Sequence, residues 1–171
     1  HRVGFWAPIQ QPGVGRTIRC DDGRKSRTKE DIIKTVESLR RRLSSTCLID
    51  STHMMCQAGL VSKRIQLLCD TLLLHPVVVM RKSRITVGAI EIGGFARVAK
   101  RYVRKMLRNA GSIDRRVLFI VYAGMDEQSL AYVQKLVQQY GTFERVYLHK
   151  ASAAIASNCG PRAFGLLFMR K

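Results

Sequence analysis

Apolar side chains recur along this chain in two rhythms, one helical and one strand-like, and the alternation of the two predicts its elements. Thr28 caps a helix in which Ile32, Ile33, Val36, Leu39 and Leu43 fall at helical spacing, so one face should be buried. Glu30 and Asp31 in the first turn and Arg40, Arg41 and Arg42 in the last complement the helix dipole. Residues 46–50 read as a short strand and 51–57 as a helical turn ending at Ala58-Gly59. Ser62 caps a further helix running to Leu74, with Ile65, Leu68, Cys69 and Leu72 on one side, and His75-Pro76 stops it.

Residues 77–81 and 85–90 are β-branched runs separated by Lys82-Ser83-Arg84, which predicts a hairpin. Gly93-Gly94 then releases the chain into a helix over 95–107. Its apolar face is Phe95, Val98, Ala99, Tyr102, Val103 and Met106, while Arg97, Lys100, Arg101, Arg104, Lys105 and Arg108 occupy the rest. Residues 116–122 form an apolar strand, Asp126 caps a helix carrying Leu130, Val133, Leu136 and Val137, and Gly141 stands at its C-cap. Strands over 144–149 and 163–169 complete six. The expected class is α/β, a mixed sheet of about six strands covered by helices.

Composition bounds this picture. With 46% hydrophobic and 25% charged residues over 171 positions the chain is globular, and no apolar run approaches the roughly 20 residues of a membrane span. Residues 1–27 lack any sustained period, and Gly13-Val14-Gly15 is a turn with no lysine at phosphate-loop spacing. The chain opens at His1 without a signal-peptide pattern, so an upstream portion is expected to be missing. Five cysteines without a C-x-x-C pair read as free thiols in a reducing compartment, which points to the cytoplasm, and zinc-ligand spacings are absent. Thirty Lys and Arg against twelve Asp and Glu give a net charge of +18, enough for non-specific attraction to nucleic acid.

Candidate chemistry concentrates in residues 146–170. This stretch reads as strand, small-residue turn, Cys159-Gly160-Pro161 and strand, the form of a loop that lets backbone approach a ligand closely. Cys159 with His149 invites a nucleophile and base, but a packed thiol explains the cysteine more simply. The acidic residues cluster at helix starts, where capping accounts for them, and His53 and His75 stand among apolar neighbours as satisfied core residues. Asn158, Cys159 and Arg162 supply an amide, backbone donors and a guanidinium beside apolar strands, which suits a ligand with a carboxylate head and an apolar body; an ordinary turn with an exposed Arg162 is the alternative.

The order of segments then carries a resemblance. Cys47-Leu48-Ile49-Asp50-Ser51-Thr52, Gln57-Ala58-Gly59-Leu60-Val61-Ser62, His75-Pro76-Val77-Val78-Val79, Ile85-Thr86-Val87-Gly88 and Ala156-Ser157-Asn158-Cys159-Gly160-Pro161 with Phe164-Gly165 together resemble the C-terminal half of the DegV family of bacterial fatty-acid-binding proteins. The resemblance implies two α/β lobes with a fatty acid between them, residues 46–171 being the second lobe and 1–45 a lead-in and helix left from the first. It also implies a non-catalytic acyl carrier with no cofactor, binding a long-chain fatty acid and presenting its carboxylate to a fatty-acid kinase. Asn158, Cys159, Gly160 and Arg162 would face the ligand head, with Gly59 and Ser62 opposite. Departures are visible: Ala58, Gly59, Leu60 and Val61 stand where the family has Gly-Gly-Arg-Ile, and Asn158 stands where it has histidine. From another class, the alternative is a basic nucleic-acid-associated protein that contacts phosphates through the arginine-rich helices beginning at Thr28 and Phe95.

Overall fold

The computed structural model describes residues 29–59, 61–81, 84–108 and 112–171. The lead-in, the Thr28 cap and the Lys82-Ser83 turn lie outside the described residues. The chain divides into two compact units, residues 1–42 and Leu43–Lys171.

In the first unit, α1 (Lys29–Arg42) keeps the expected charge polarity, Glu30 and Asp31 at its start and three arginines at its end. None of its residues is buried, which corrects the expected buried face. Helical spacing marks a face as apolar, but burial also needs an opposing surface. Leu43, expected as the helix's last apolar residue, instead opens a strand.

The second unit contains β1 (Leu43–Leu48), α2 (His53–Gln57), α3 (Lys63–Thr71), β2 (Leu74–Arg81), β3 (Arg84–Ile92), α4 (Phe95–Arg108), β4 (Ile113–Ala123), α5 (Glu127–Tyr140), β5 (Arg145–Lys150), α6 (Ala153–Cys159) and β6 (Ala163–Arg170). All six expected strands are present, in one sheet of order β3-β2-β1-β6-β4-β5. The predicted hairpin pairs Val79 with Thr86, and β1 sits between two antiparallel neighbours, Cys47 opposite Val78 and Gly165. Only β4 and β5 run parallel, so the sheet is mixed as expected.

Two boundaries differ instructively from the sequence reading. The helix capped by Ser62 ends at Thr71, three residues early, because Leu73 turns into a left-handed conformation (φ 49°) and Leu74 and His75 join β2. The small-residue segment expected as a turn winds into α6, since alanine is the strongest helix former.

The core lies between the sheet and the pair α4 and α5. Val98, Ala99, Tyr102, Val103 and Leu107 of α4 and Val133, Leu136 and Val137 of α5 pack on Leu48, Leu118, Ile120, Phe164, Leu166 and Phe168. Tyr102 carries a polar group into this layer and satisfies it by a 2.7 Å hydrogen bond with Thr46 Oγ1, while its ring meets Phe164 edge-on at 5.4 Å. Asp126 caps α5 through Ser129 N at 2.7 Å, a bond that holds its carboxylate below the usual range. Gly165 is required by close approach: a Cβ there would stand 2.6 Å from Thr46 O.

Candidate functional site

The strand directions bring six chain segments to one end of the sheet. Leu48 pairs with Val77 and Phe164, Leu74 with Ile92, Ala123 with Ala163, and Tyr122 with Lys150. The exits of β1, β3, β4 and β5 and the entries of β2 and β6 therefore share an edge. Asp50, His75, Gly93-Gly94, Gly124 and Gly160-Pro161-Arg162 all stand there, drawn from across the sequence.

A cavity of about 340 Å³ opens at this edge. Its apolar lining is Cys69 of α3, Leu73 just after that helix, Leu74 at the start of β2 and Phe95 at the start of α4. Its charged lining is Asp50, Asp70, His75 and Arg162, and Gly94 completes it. Asp50 is the hub of the charged wall, with Arg162 Nε 3.4 Å from Oδ2 and His75 Nδ1 3.3 Å from Oδ1.

His75 is buried and its Nε2 lies 2.8 Å from Gly93 O, so that nitrogen carries a proton and donates. Nδ1 then faces the Asp50 carboxylate off the line of a good hydrogen bond, a contact that is electrostatic more than directional. The interaction with Asp50 raises the histidine's pKa above the ordinary value, against the opposing effect of burial. With His75 protonated, Asp50, His75 and Arg162 sum to one net positive charge, which the Asp70 carboxylate of the same lining offsets.

Arg162 is held in an unusual way. Its backbone is left-handed (φ 58°), a conformation that costs a non-glycine residue on the order of 1 kcal/mol or more. Its N–H donates to Gly124 O at 3.2 Å, and its guanidinium carbon stands 4.4 Å above the Phe95 ring centroid, a cation–π contact. Gly160, also left-handed (φ 74°), ends α6 by donating to Ala156 O and lies where a Cβ would meet Met54 Cγ of α2 at 3.2 Å. The turn that aims Arg162 is thus seated on α2.

The structure distributes the residues singled out by sequence as follows. Asn158, Cys159, Gly160 and Arg162 share this turn, and Arg162 lines the cavity. Asn158 Nδ2 donates to Ala154 O at 2.8 Å, within α6. Cys159 is buried and its thiol interacts with that of Cys47, which lowers the Cys159 pKa and, with burial, raises that of Cys47, whose Sγ donates to Leu48 O at 3.7 Å. The thiol's partner is therefore Cys47, while His149 is exposed on β5. Gly59 (φ 70°) follows α2 in open space, and Ser62 Oγ caps α3 by accepting from Ile65 N at 3.4 Å.

His53, expected among apolar neighbours, is instead exposed and contacts Gln57 and Gln66. Asp50 and Phe95 were not singled out as site residues, nor His75 beyond a core role. The signal for two of them was present, because Asp50-Ser51-Thr52 and His75-Pro76 both belong to the ordered segments quoted above. Among the described residues no cluster of histidine, cysteine and carboxylates could hold a metal, and no helix is long and apolar enough to cross a membrane.

Comparison with known proteins adds three findings. A family model described as "Uncharacterised protein, DegV family" matches residues 23–171. No curated protein matches the chain in sequence. Among solved structures, the chain is similar to a DegV family protein from Thermus thermophilus whose structure is described as showing fatty acid binding, at 22% identity and a TM-score of 0.66, over 85% of this chain and 52% of that one. It is also similar to a DegV family protein from Eubacterium eligens loaded with heptadecanoic acid (17% identity, TM-score 0.70, 91% of this chain and 54% of that one). The Streptococcus pneumoniae Fatty Acid Kinase (Fak) B3 protein loaded with linoleic acid is similar at 9% identity and a TM-score of 0.69, over 90% of this chain and 52% of that one. The chain spans about half the length of these structures.

Proposed function

Because this chain belongs to the DegV family, we propose that residues 46–171 form the second lobe of a non-catalytic fatty-acid-binding protein and that residues 1–45 belong to the first. The observation that carries the reading is the cavity at the sheet's end, where apolar walls from α3 and α4 meet the Arg162 guanidinium. A long-chain fatty acid suits both halves of that surface. Its acyl chain would lie along Leu73, Leu74 and the outward apolar side of α3, and its carboxylate would face Arg162 and protonated His75. Asn158, Cys159 and Gly160 lead into Arg162 and would stand behind the head group, and Gly59 and Ser62, on the connection between α2 and α3, would face the ligand from the other side.

Asp50 gives the site a specific chemistry. It holds Arg162 and His75 in place but also competes for them, so an incoming carboxylate would gain Arg162 at the expense of that residue's contact with Asp50. Removing Arg162 should therefore cost affinity of the order of one charge-assisted hydrogen bond, about 1.5–3 kcal/mol or about ten- to a hundredfold. A carrier of this kind would keep the head group near the protein surface, where a fatty-acid kinase could reach it.

The test is native mass spectrometry of the delipidated protein titrated with oleate. The expected result is a one-to-one adduct, weakened about tenfold or more in Arg162→Ala. A protein that stays free of ligand under saturating oleate sinks the proposal. Acyl-phosphate formation on adding ATP and a fatty-acid kinase tests the handover separately.

A further inference from the structure

We propose that the outer face of α4 binds the phosphate backbone of a duplex nucleic acid, a site separate from the lipid cavity. Six cations stand on this 14-residue helix, Arg97, Lys100, Arg101, Arg104, Lys105 and Arg108, with no acidic residue among them. At roughly 100° per residue they fall within an arc of about 140°, and from first to last they extend about 16 Å along the axis. The complementary arc is the buried one, holding Val98, Ala99, Tyr102, Val103 and Leu107. The helix is thus fixed to the core along one side and presents an almost uninterrupted cationic strip on the other.

Two further observations make the strip more than a solvated helix face. Arg101, Arg104, Lys105 and Arg108 line a shallow concavity of about 280 Å³, so their charges converge on a common space. Among the described residues, Arg101 alone of the six has a carboxylate partner, Glu91 Oε2 at 2.9 Å. Outside α4, Arg116 pairs with Asp114 and Arg162 with Asp50. The remaining five on α4 repel one another until a polyanion neutralises them.

The composition of the face selects the kind of polyanion. Surface binding to a bilayer relies on apolar side chains that enter the acyl boundary, but the large apolar residues of α4 are committed to the core or half-buried. Single-stranded nucleic acid is gripped by aromatic platforms, and the one tyrosine of α4 is buried. What remains is a linear array of charges without stacking groups or apolar wedges, which matches the regularly spaced phosphates of a duplex and reads no sequence.

Fluorescence anisotropy with a 24-base-pair DNA duplex, the matching RNA duplex and phosphatidylglycerol vesicles, each over a series of KCl concentrations, tests this. Neutralising five phosphates gives a log–log slope of roughly −4 to −5, so affinity for a duplex should fall about 500-fold between 50 and 200 mM salt. The triple substitution Arg104→Gln/Lys105→Gln/Arg108→Gln retains good helix formers and should reduce that fall to about 15-fold. Arg40→Gln/Arg41→Gln/Arg42→Gln on α1 removes the same net charge and should leave the slope unchanged. Binding to DNA or to RNA supports the site and identifies its source. Failure to bind either duplex overturns it, as does binding to vesicles alone, or an equal loss in the α1 variant, which would trace the effect to overall charge. Oleate binding should be untouched by the α4 variant, so failure here and failure of the lipid reading are distinguishable.

Discussion

Helices α3 and α4 are written in the same rhythm and meet different fates. Both begin after a polar or glycine signal, and both repeat apolar residues at helical spacing. In α4 the apolar residues Val98, Tyr102 and Val103 are 0% exposed; in α3 only Cys69 is buried, and Ile65, Leu68 and Leu72 are 51%, 55% and 51% exposed. The difference lies in what each helix meets. The central strands give α4 a surface of Leu48, Phe164 and Leu166, and α5 closes its flank, whereas α3 lies beside β2 near the sheet's end with its outer side uncovered. An amphipathic pattern therefore names a face and leaves open whether that face closes a core or awaits a ligand or partner. The cavity lies between the end of α3 and the start of α4, so the binding site sits where a finished interface passes into an unfinished one.

The sharpest way to break this contrast is to place the same charge on each helix. Val103→Asp should cost about 3 kcal/mol or more and abolish cooperative unfolding at ambient temperature, because an unpaired carboxylate would enter the core. Leu68→Asp should change the unfolding free energy by only about 0.5 kcal/mol. Equal costs would mean that α3 is covered and that the comparison is false.

A smaller effect tests whether α4 is fixed by directed bonds as well as by shape. Tyr102→Phe leaves the ring against Phe164 but deprives Thr46 Oγ1 of its partner in the core, and should destabilise by about 1–2 kcal/mol. Unchanged stability in urea would show that this hydrogen bond adds nothing to packing.

At the boundary between the two helices the expected effect is a pH dependence. The native pKa of His75 is raised above 6.5, mainly by Asp50. A raised value means that folding favours the protonated form, so the contribution is fully present below about 6.5 and fades as pH rises through the native value. His75→Gln should narrow the difference in urea midpoint between about pH 5.5 and about pH 8.5; a wild-type difference that survives the substitution assigns it to other groups.

The smallest effect on stability belongs to Leu68→Ser on α3, within about 0.5 kcal/mol, yet this variant should weaken oleate binding measurably if the acyl chain lies along that helix. Unaltered affinity by native mass spectrometry would remove α3 from the lipid surface.

How far the sequence led is clearest from particular residues. β-branched and apolar runs with their turns located all six strands, and Asp126 and Ser62 were recognised as caps because a side-chain oxygen needs only the backbone N–H three residues ahead. The run 151–157 was misread as a turn, since small residues are compatible with both a close-packed loop and a helix, and Ala153–Cys159 takes the helix. Arg162 was found because it follows Cys159-Gly160-Pro161, but its partners were not. Asp50, His75 and Phe95 come from three other elements, and no local period relates them.

The sequence by itself determined the six strands and the helices other than α6, which side of the longer helices is apolar, and that a strong positive charge is carried on α4. Those are properties of neighbours in the chain, set by side-chain spacing and backbone preference. Tertiary structure alone decided which apolar sides are buried and which charges meet, because both depend on strand order and direction. By running β1 antiparallel to both β2 and β6, the sheet brings Asp50, His75 and Arg162 together at one end, and it leaves α3 without the opposing layer that buries α4.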